Sequence, residues 1–400
     1  MDITLHPRKV KGTITPPPSK SDAHRLIICA GLCEGGSVVK KVQFSKDISA
    51  TFCALKKMGA QIDIDNDNVI VKKGIDKNFL RCEIDCIESG STLRFMIPIS
   101  LLSSGAKFLG RGRLMQRPLE PYFEIFEKLG IRYEKGDGYL DVEGKLTSGS
   151  FHLRGDISSQ FVTGLLFALP NLEGDSEIVT TTPLESKGYV DMTIDSLKKF
   201  GVKVENEGYR RFYIKGGQKF LPKDVEVEKD YSQAAFFIVA NALGADIEIK
   251  DLNEFSKQKD KEIIDIINLV KSGVVSEIDV SDIPDLVPVL AVFLALQDGK
   301  HTKIINAKRL RMKESDRLFA ICDVINSLGG KVLEFDDGLS IFGVKSLKGG
   351  VVSSHNDHRI AMSAAVASIK CENPVTILNA ECVEKSYPEF FDDFKSLIIE

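Results

Sequence analysis

Long apolar runs are missing from this chain. No stretch approaches the ~18–20 hydrophobic residues that a membrane-spanning helix requires, and the opening Met1-Asp2-Ile3-Thr4-Leu5-His6 lacks the apolar core of a secretory signal. A cytoplasmic location is the resulting expectation. Metal-binding clusters are missing as well. None of the eight cysteines forms Cys-x-x-Cys and no histidine spacing matches a zinc site, so reduced thiols are expected, with Cys29, Cys33, Cys53 and Cys322 in helical patterns. A strong excess of charge of one sign is missing: a formal net charge of -4 argues against nucleic acid or an acidic membrane as partner. Any anion site must therefore be local. Finally, the chain has no Walker loop, no Gly-x-Gly-x-x-Gly after a strand, no His-Glu-x-x-His and no Gly-x-Ser-x-Gly. These absences remove P-loop hydrolysis, Rossmann redox chemistry and the nucleophile elbow. Acid–base catalysis with electrostatic stabilisation is what remains.

What the chain does have is a repeat. Its 400 residues, 43% of them hydrophobic, suffice for two or three domains. Pro16-Pro17-Pro18-Ser19-Lys20-Ser21-Asp22-Ala23-His24-Arg25 is a stiff approach to a helix start carrying cations and hydroxyls, a pattern suited to an anion. It runs into an apolar helix, then Gly35-Gly36 and a strand from Ser37 to Val42. The same phrase recurs from Ser89, Ser158, Asp230, Asp282 and Asp357, at intervals of ~55–75 residues that mark one repeated supersecondary unit. Helices such as Phe161 to Leu169 are apolar on nearly all sides, as a helix buried inside its domain reads.

A second, amphipathic helix closes on a glycine in the first five units: Gly59, Gly130, Gly201, Gly273 and Gly329. Alternation as in Gln61-Ile62-Asp63-Ile64-Asp65 then predicts a hairpin, so the unit reads strand, helix, strand, helix, strand, strand. The sixth copy ends without a hairpin, and the strands Ile3 to Leu5 and Gly12 to Ile14 are expected to supply what it lacks. This predicts two lobes of three units each, 20–223 and a discontinuous 1–19 with 224–400, the chain crossing near Pro16 to Lys20 and near Leu221-Pro222-Lys223-Asp224.

If the buried helices of each lobe run the same way, their starts gather Lys20, Ser21, Arg25, Arg94, Ser158, Ser159, Gln160, Asp285, His358 and Arg359 at an inter-lobe cleft. Loops before the second helices add Arg117, Ser186, Tyr189 and the dense run Arg309-Leu310-Arg311-Met312-Lys313-Glu314-Ser315-Asp316-Arg317, and Lys385 precedes the last helix. Taken singly, each also reads as a cap or a solvated turn. Together they suit a polyanionic substrate. Asp285, Glu314, Lys20 and Lys313 are the groups able to move protons.

Pro18-Ser19-Lys20-Ser21-Asp22-Ala23-His24-Arg25, Ser89-Gly90-Ser91-Thr92-Leu93-Arg94, Gln116-Arg117-Pro118, Ser158-Ser159-Gln160, Lys313-Glu314-Ser315-Asp316-Arg317-Leu318 and Asp357-His358-Arg359-Ile360-Ala361-Met362 resemble, in the same order, the 5-enolpyruvylshikimate-3-phosphate synthases. The resemblance covers essentially the whole chain. It implies α/β architecture in two inside-out α/β barrel lobes, each of three repeated units. It also implies transfer of the enolpyruvyl group of phosphoenolpyruvate to the 5-hydroxyl of shikimate 3-phosphate, with release of phosphate. No metal or organic cofactor is implied, the partners are those two small molecules, and a monomer is expected from the resemblance alone.

Carried over residue by residue, Lys20, Ser21, Arg25, Ser158, Ser159, Gln160, Ser186, Tyr189, Asp285 and Lys313 would hold shikimate 3-phosphate, the serines Ser158, Ser159 and Ser186 gripping its phosphate. Lys20, Gly90, Arg117, Gln160, Arg317, Arg359 and Lys385 would surround phosphoenolpyruvate, Gly90 by leaving room. Asp285 is the candidate for the hydroxyl proton, Glu314 for the carbon proton and Lys20 for the departing phosphate. Two residues depart from the pattern: Arg309, where some relatives have asparagine, and Phe95, where some have proline. The sister enzymes that act on a UDP-sugar generally carry a cysteine on a mobile loop, and Gly110 to Arg117 has none.

Overall fold

The computed structural model describes residues 1–399; Glu400, the last residue of the expected second lobe, lies outside the described residues. The chain opens with β1 (Ile3–Leu5) and β2 (Lys11–Ile14). The first unit comprises α1 (Lys20–Gly31), β3 (Ser37–Lys40), α2 (Lys46–Lys57), β4 (Gln61–Asp65) and β5 (Asn68–Lys73). The second runs through β6 (Glu83–Asp85), α3 (Gly90–Ser100), β7 (Gly105–Leu109), α4 (Glu120–Leu129), β8 (Arg132–Gly136) and β9 (Tyr139–Glu143). The third adds β10 (Ser150–Leu153), α5 (Ser159–Ala168), β11 (Ser176–Thr180), α6 (Lys187–Lys199), β12 (Val204–Glu207) and β13 (Arg211–Ile214), and β14 (Val225–Glu226) follows. The fourth unit has only α7 (Tyr231–Ala242), β15 (Asp246–Ile249) and α8 (Ile263–Lys271). The fifth is complete: β16 (Glu277–Asp279), α9 (Val287–Ala295), β17 (His301–Ile305), α10 (Arg317–Ser327), β18 (Lys331–Phe335) and β19 (Gly338–Phe342). The sixth consists of β20 (Gly350–Ser353), α11 (His358–Ala367), β21 (Val375–Leu378) and α12 (Phe390–Ser396).

The chain divides into two compact lobes, one of Lys20–Glu228 and one of Met1–Ser19 with the chain from Lys229 onward. Each has its own hydrophobic core. In each complete unit the strand before the buried helix lies parallel beside the strand after it, and the hairpin continues the sheet antiparallel: β6-β7-β9-β8, β10-β11-β13-β12 and β16-β17-β19-β18. Inside these sheets lie α1, α3 and α5 in one lobe and α7, α9 and α11 in the other, buried along most of their length. This is the inside-out α/β barrel, repeated. Among the described residues no helix is long and apolar enough to cross a membrane.

Three expectations change. The second crossing falls after Glu228, not near Lys223. The reason is β14, which pairs parallel with β3 and completes the order β14-β3-β5-β4. The place that β14 would have taken beside β15 is filled by β2 instead, Lys11 to Ile14 lying parallel against Asp246 to Ile249. The strands preceding α1 and α7 are thus exchanged, and only β1 goes to the sixth unit, antiparallel to β21. Thirdly, the fourth unit has no hairpin; its sheet is β15-β2 alone. All eight cysteines are free, and Cys53 is exposed on α2.

Local chemistry accounts for the helix ends. Ser45, Ser89, Ser158, Asp230, Asp316 and Asp357 cap α2, α3, α5, α7, α10 and α11, each accepting from a first-turn N–H. Gly130 ends α4 at φ 67°, a left-handed conformation that glycine adopts without steric cost. Pro98 lies inside α3 and cannot donate to Arg94 O one turn earlier. The Tyr122 hydroxyl donates to that carbonyl instead, at 2.7 Å. Gly164 of α5 makes room for this arrangement: a Cβ there would stand 2.3 Å from Tyr122 Oη and 2.5 Å from Arg94 O.

Candidate active site

In the lobe of Lys20–Glu228 the expected residues form two connected groups. Around the start of α1, Lys20 Nζ pairs with Asp47 Oδ2 at 2.9 Å. One turn on, buried Arg25 donates through Nε to Thr193 Oγ1 (2.9 Å), through Nη1 to Ser21 O (2.6 Å) and through Nη2 to Tyr189 O (2.9 Å). Its guanidinium stands 5.6 Å and 5.7 Å from the ring centroids of Phe95 and Tyr189. Burial draws the Arg25 pKa down to about 10, which leaves it fully charged at neutral pH. Thr193 links on to Thr163 of α5 at 3.0 Å.

The second group gathers at the starts of α3 and α5. Arg94 Nη1 donates to Gln160 Oε1 (2.8 Å), Gln160 Nε2 to Ser91 Oγ (3.0 Å), and Arg94 Nη2 to Pro118 O (3.1 Å). Gly90 sits among them: a Cβ there would meet Arg117 Nη1 at 2.7 Å, Arg94 Nη1 at 3.5 Å and Gln160 Oε1 at 3.6 Å. Only the missing side chain lets these guanidinium groups crowd the helix start. Ser158 Oγ is engaged in capping α5, Ser159 is buried beside it, and Ser186, buried at the start of α6, holds φ 55°. A left-handed serine costs of order 1–3 kcal/mol and persists where the surroundings impose it, often at a ligand site.

In the other lobe one ion cluster contains most of the expected residues. Arg317, only 2% exposed, is ringed by three carboxylates: Nε to Asp357 Oδ2 (2.8 Å), Nη1 to Asp285 Oδ1 (2.8 Å) and Nη2 to Glu314 Oε2 (2.7 Å). Asp285 in turn receives Arg359 Nη2 at 3.1 Å and stands 3.7 Å from Lys313 Nζ. Burial by itself would raise the Asp285 pKa. Arg359, Lys313 and Arg317 outweigh it and hold that carboxyl well below the usual range. Burial also pushes the Lys313 ammonium down to about 8, with Arg317 and Arg309 repelling it and Asp285 opposing the shift. Lys385 donates to Asn356 O at 2.9 Å. His358 is buried at the start of α11.

Four residues to which the sequence assigned no role toward either substrate organise the site. Asp357 caps α11 through Arg359 N (2.9 Å), accepts Ser315 Oγ (3.0 Å) and binds Arg317, so both arginines depend on one fully buried carboxylate. Its place in Asp-His-Arg was the available signal. Asp47 and Arg94 hold Lys20 and Gln160; Asp47 lies in no motif and has no signal in the sequence. Arg309 is buried and its guanidinium donates to Ser281 O, in the loop leading to Asp285.

Paired barrels of threefold-repeated α/β units, with cations and carboxylates set at the starts of buried helices, define an enzyme class built to bind small polyanions. The family described as EPSP synthase (3-phosphoshikimate 1-carboxyvinyltransferase) matches residues 5–394. A 3-phosphoshikimate 1-carboxyvinyltransferase of Clostridium perfringens is 49% identical, over 99% of this chain and 98% of the relative. One of Clostridium novyi is 48% identical, over 99% and 97%. A solved EPSP synthase from Acinetobacter baumannii superposes with a TM-score of 0.81 at 25% identity, covering 99% of this chain and 98% of that one. The chain belongs to the EPSP synthase family.

Proposed function

We propose that this enzyme transfers the enolpyruvyl group of phosphoenolpyruvate to the 5-hydroxyl of shikimate 3-phosphate, releasing phosphate, in the route to chorismate and the aromatic amino acids. Family membership along nearly the whole chain supports the reaction. The observation that carries the chemistry is the cluster that sets Asp285 and Glu314 on one buried arginine.

The reaction proceeds by addition and elimination. The hydroxyl oxygen bonds to C2 of phosphoenolpyruvate while its double bond takes a proton at C3, giving a tetrahedral adduct. Loss of phosphate from C2 and of a proton from the new methyl group restores the double bond, now in an enol ether. Asp285, kept ionised by Arg359, Lys313 and Arg317, orients the hydroxyl and accepts its proton as the C–O bond forms. Glu314 supplies the proton to C3 and later receives one. Lys20 accompanies the departing phosphate. Ser158, Ser159 and Ser186 hold the shikimate phosphate, and Ser21, Arg25, Gln160, Tyr189 and Lys313 hold the rest of that substrate. Arg117, Arg317, Arg359 and Lys385 stabilise the anionic adduct with charges already in place, the largest usual source of catalysis.

Both substrates are small molecules, and we place the enzyme in the cytoplasm as a monomer on the strength of the family resemblance. The test is phosphate release on incubation with shikimate 3-phosphate and phosphoenolpyruvate, with loss of turnover in Asp285→Ala despite retained substrate binding. No release with this pair, but release with UDP-N-acetylglucosamine in place of shikimate 3-phosphate, overturns the assignment.

A further inference from the structure

We propose that His24 is a positioning residue for Lys20, acting through a directed hydrogen-bond chain that joins α1, α2 and the start of α3. The inference rests on the reading of Lys20 as a substrate-gripping residue. Lys20 and His24 are one helical turn apart on α1, and Asp47 and Thr51 are one turn apart on α2, so each pair shares a helix face. The two helices meet in two rungs: Lys20 Nζ to Asp47 Oδ2 at 2.9 Å, and His24 Nδ1 to Thr51 Oγ1 at 2.8 Å. The lower rung continues inward. Thr51 Oγ1 lies 2.7 Å from Thr92 Oγ1, which lies 2.8 Å from Ser89 Oγ and 3.3 Å from the carbonyl of Asp47 itself. The chain therefore starts one turn from Lys20 and reaches the main chain of the residue that holds it.

The direction of the chain follows from its ends. His24 and Thr51 are buried, and His24 Nε2 has no hydrogen-bond partner. A proton on Nε2 would be a buried donor with no acceptor, so the proton belongs on Nδ1. With Nδ1–H donating to Thr51, the Thr51 hydroxyl donates to Thr92, and Thr92 donates onward to Ser89 Oγ or Asp47 O. The opposite direction would strand the Nε2 proton and leave Asp47 O without its hydroxyl donor. Burial, with Lys20 and Arg25 adding repulsion, keeps the ring neutral, so the orientation does not reverse in the physiological range. Phe95 packs at nearly a right angle to the imidazole, 6.4 Å between ring centroids.

The experiment uses the full-length enzyme and compares five variants by kcat, KM for phosphoenolpyruvate and Tm. Thr51→Val removes the hydroxyl at nearly constant volume, and His24→Leu removes the ring donor. Each is expected to raise KM and lower kcat, with a loss in kcat/KM on the order of tenfold, the scale of one misplaced charged contact. His24→Asn, whose amide can donate from near the Nδ1 position, is expected to stay within about threefold of wild type. Ser100→Ala deletes an equally buried hydroxyl of α3, one that donates to Ile97 O at 2.7 Å; it lowers Tm with kcat/KM unchanged. Lys20→Met shows the full cost of losing the ammonium. Wild-type kinetics in both Thr51→Val and His24→Leu, with Lys20→Met impaired, overturns the inference. Equal losses in Ser100→Ala overturn it too, because they reduce the effect to general loosening. Full activity in Lys20→Met sinks the reading of Lys20, and the inference with it.

Discussion

Replacing Gly90 by alanine separates the local fold from the grip on phosphoenolpyruvate. Gly90 opens α3 behind the Ser89 cap and does not occupy the left-handed region. The backbone therefore accepts alanine, and helix propensity favours it by up to ~1 kcal/mol. The obstacle is the side chain that the new methyl meets. Arg117 Nη1 would lie 2.7 Å from the Cβ, against at least 3.4 Å for ordinary contact, so the guanidinium must retreat by about 0.7 Å. Arg94 Nη1 at 3.5 Å and Gln160 Oε1 at 3.6 Å are already in contact range and need not move. A flexible arginine can make that retreat at little cost to folding. A charged ligand group displaced by more than ~0.5 Å has left the tolerance of a working site. Steady-state assays should accordingly show KM for phosphoenolpyruvate raised about tenfold or more, kcat lowered by less than about threefold and KM for shikimate 3-phosphate unchanged, with Tm within about 2 °C of wild type. An unchanged KM for phosphoenolpyruvate would refute the placement of Arg117 against that substrate. A large fall in Tm would refute the claim that Gly90 serves the ligand and not the helix.

Four further outcomes follow from the same geometry. Arg317→Met leaves buried Asp357 and half-buried Glu314 without their shared cation, and urea unfolding should show a loss of about 3–5 kcal/mol. Tyr122→Phe removes the hydroxyl that donates to Arg94 O, which Pro98 cannot serve; the expected cost is about 1–3 kcal/mol, and an unchanged midpoint would show that the carbonyl finds another partner. Burial raises the Asp22 carboxyl from 3.8 to about 6, so its contribution is most favourable below pH 4 and is lost as pH rises through 6. Asp22→Asn, still able to accept from Glu228 N, should exceed wild type in stability by up to about 3 kcal/mol at pH 7, the gap closing below pH 4. Lys313, lowered to about 8 by burial, loses its charge as pH rises through that value; calorimetric affinity for shikimate 3-phosphate should fall above pH 8 in the wild type and show no such limb in Lys313→Met.

The sequence by itself determined whatever depends on near neighbours along the chain. Six buried helices were legible because their apolar runs are continuous, four of them (α3, α5, α7 and α11) beginning at a capping Ser or Asp, and five of the second helices because a glycine follows each, as Gly130 does at φ 67°. Candidate site residues could be proposed from the sequence because they fall in motifs at those helix starts and in the loops before the second helices. Tertiary structure alone decided which partner each long-range group takes. Nothing near Lys11–Ile14 or Val225–Glu226 indicates that these strands exchange sheets, since a strand's pattern specifies its faces and not its neighbour. Nor does a motif disclose that Arg317, expected among the phosphoenolpyruvate ligands, has its charge shared by Asp285, Glu314 and Asp357, or that Tyr122 supplies the donor that Pro98 lacks. The physical reason is the same throughout: capping and periodicity act over one or two turns of chain, whereas hydrogen bonds and ion pairs depend on distances of ~3 Å in space, which only the packed fold sets.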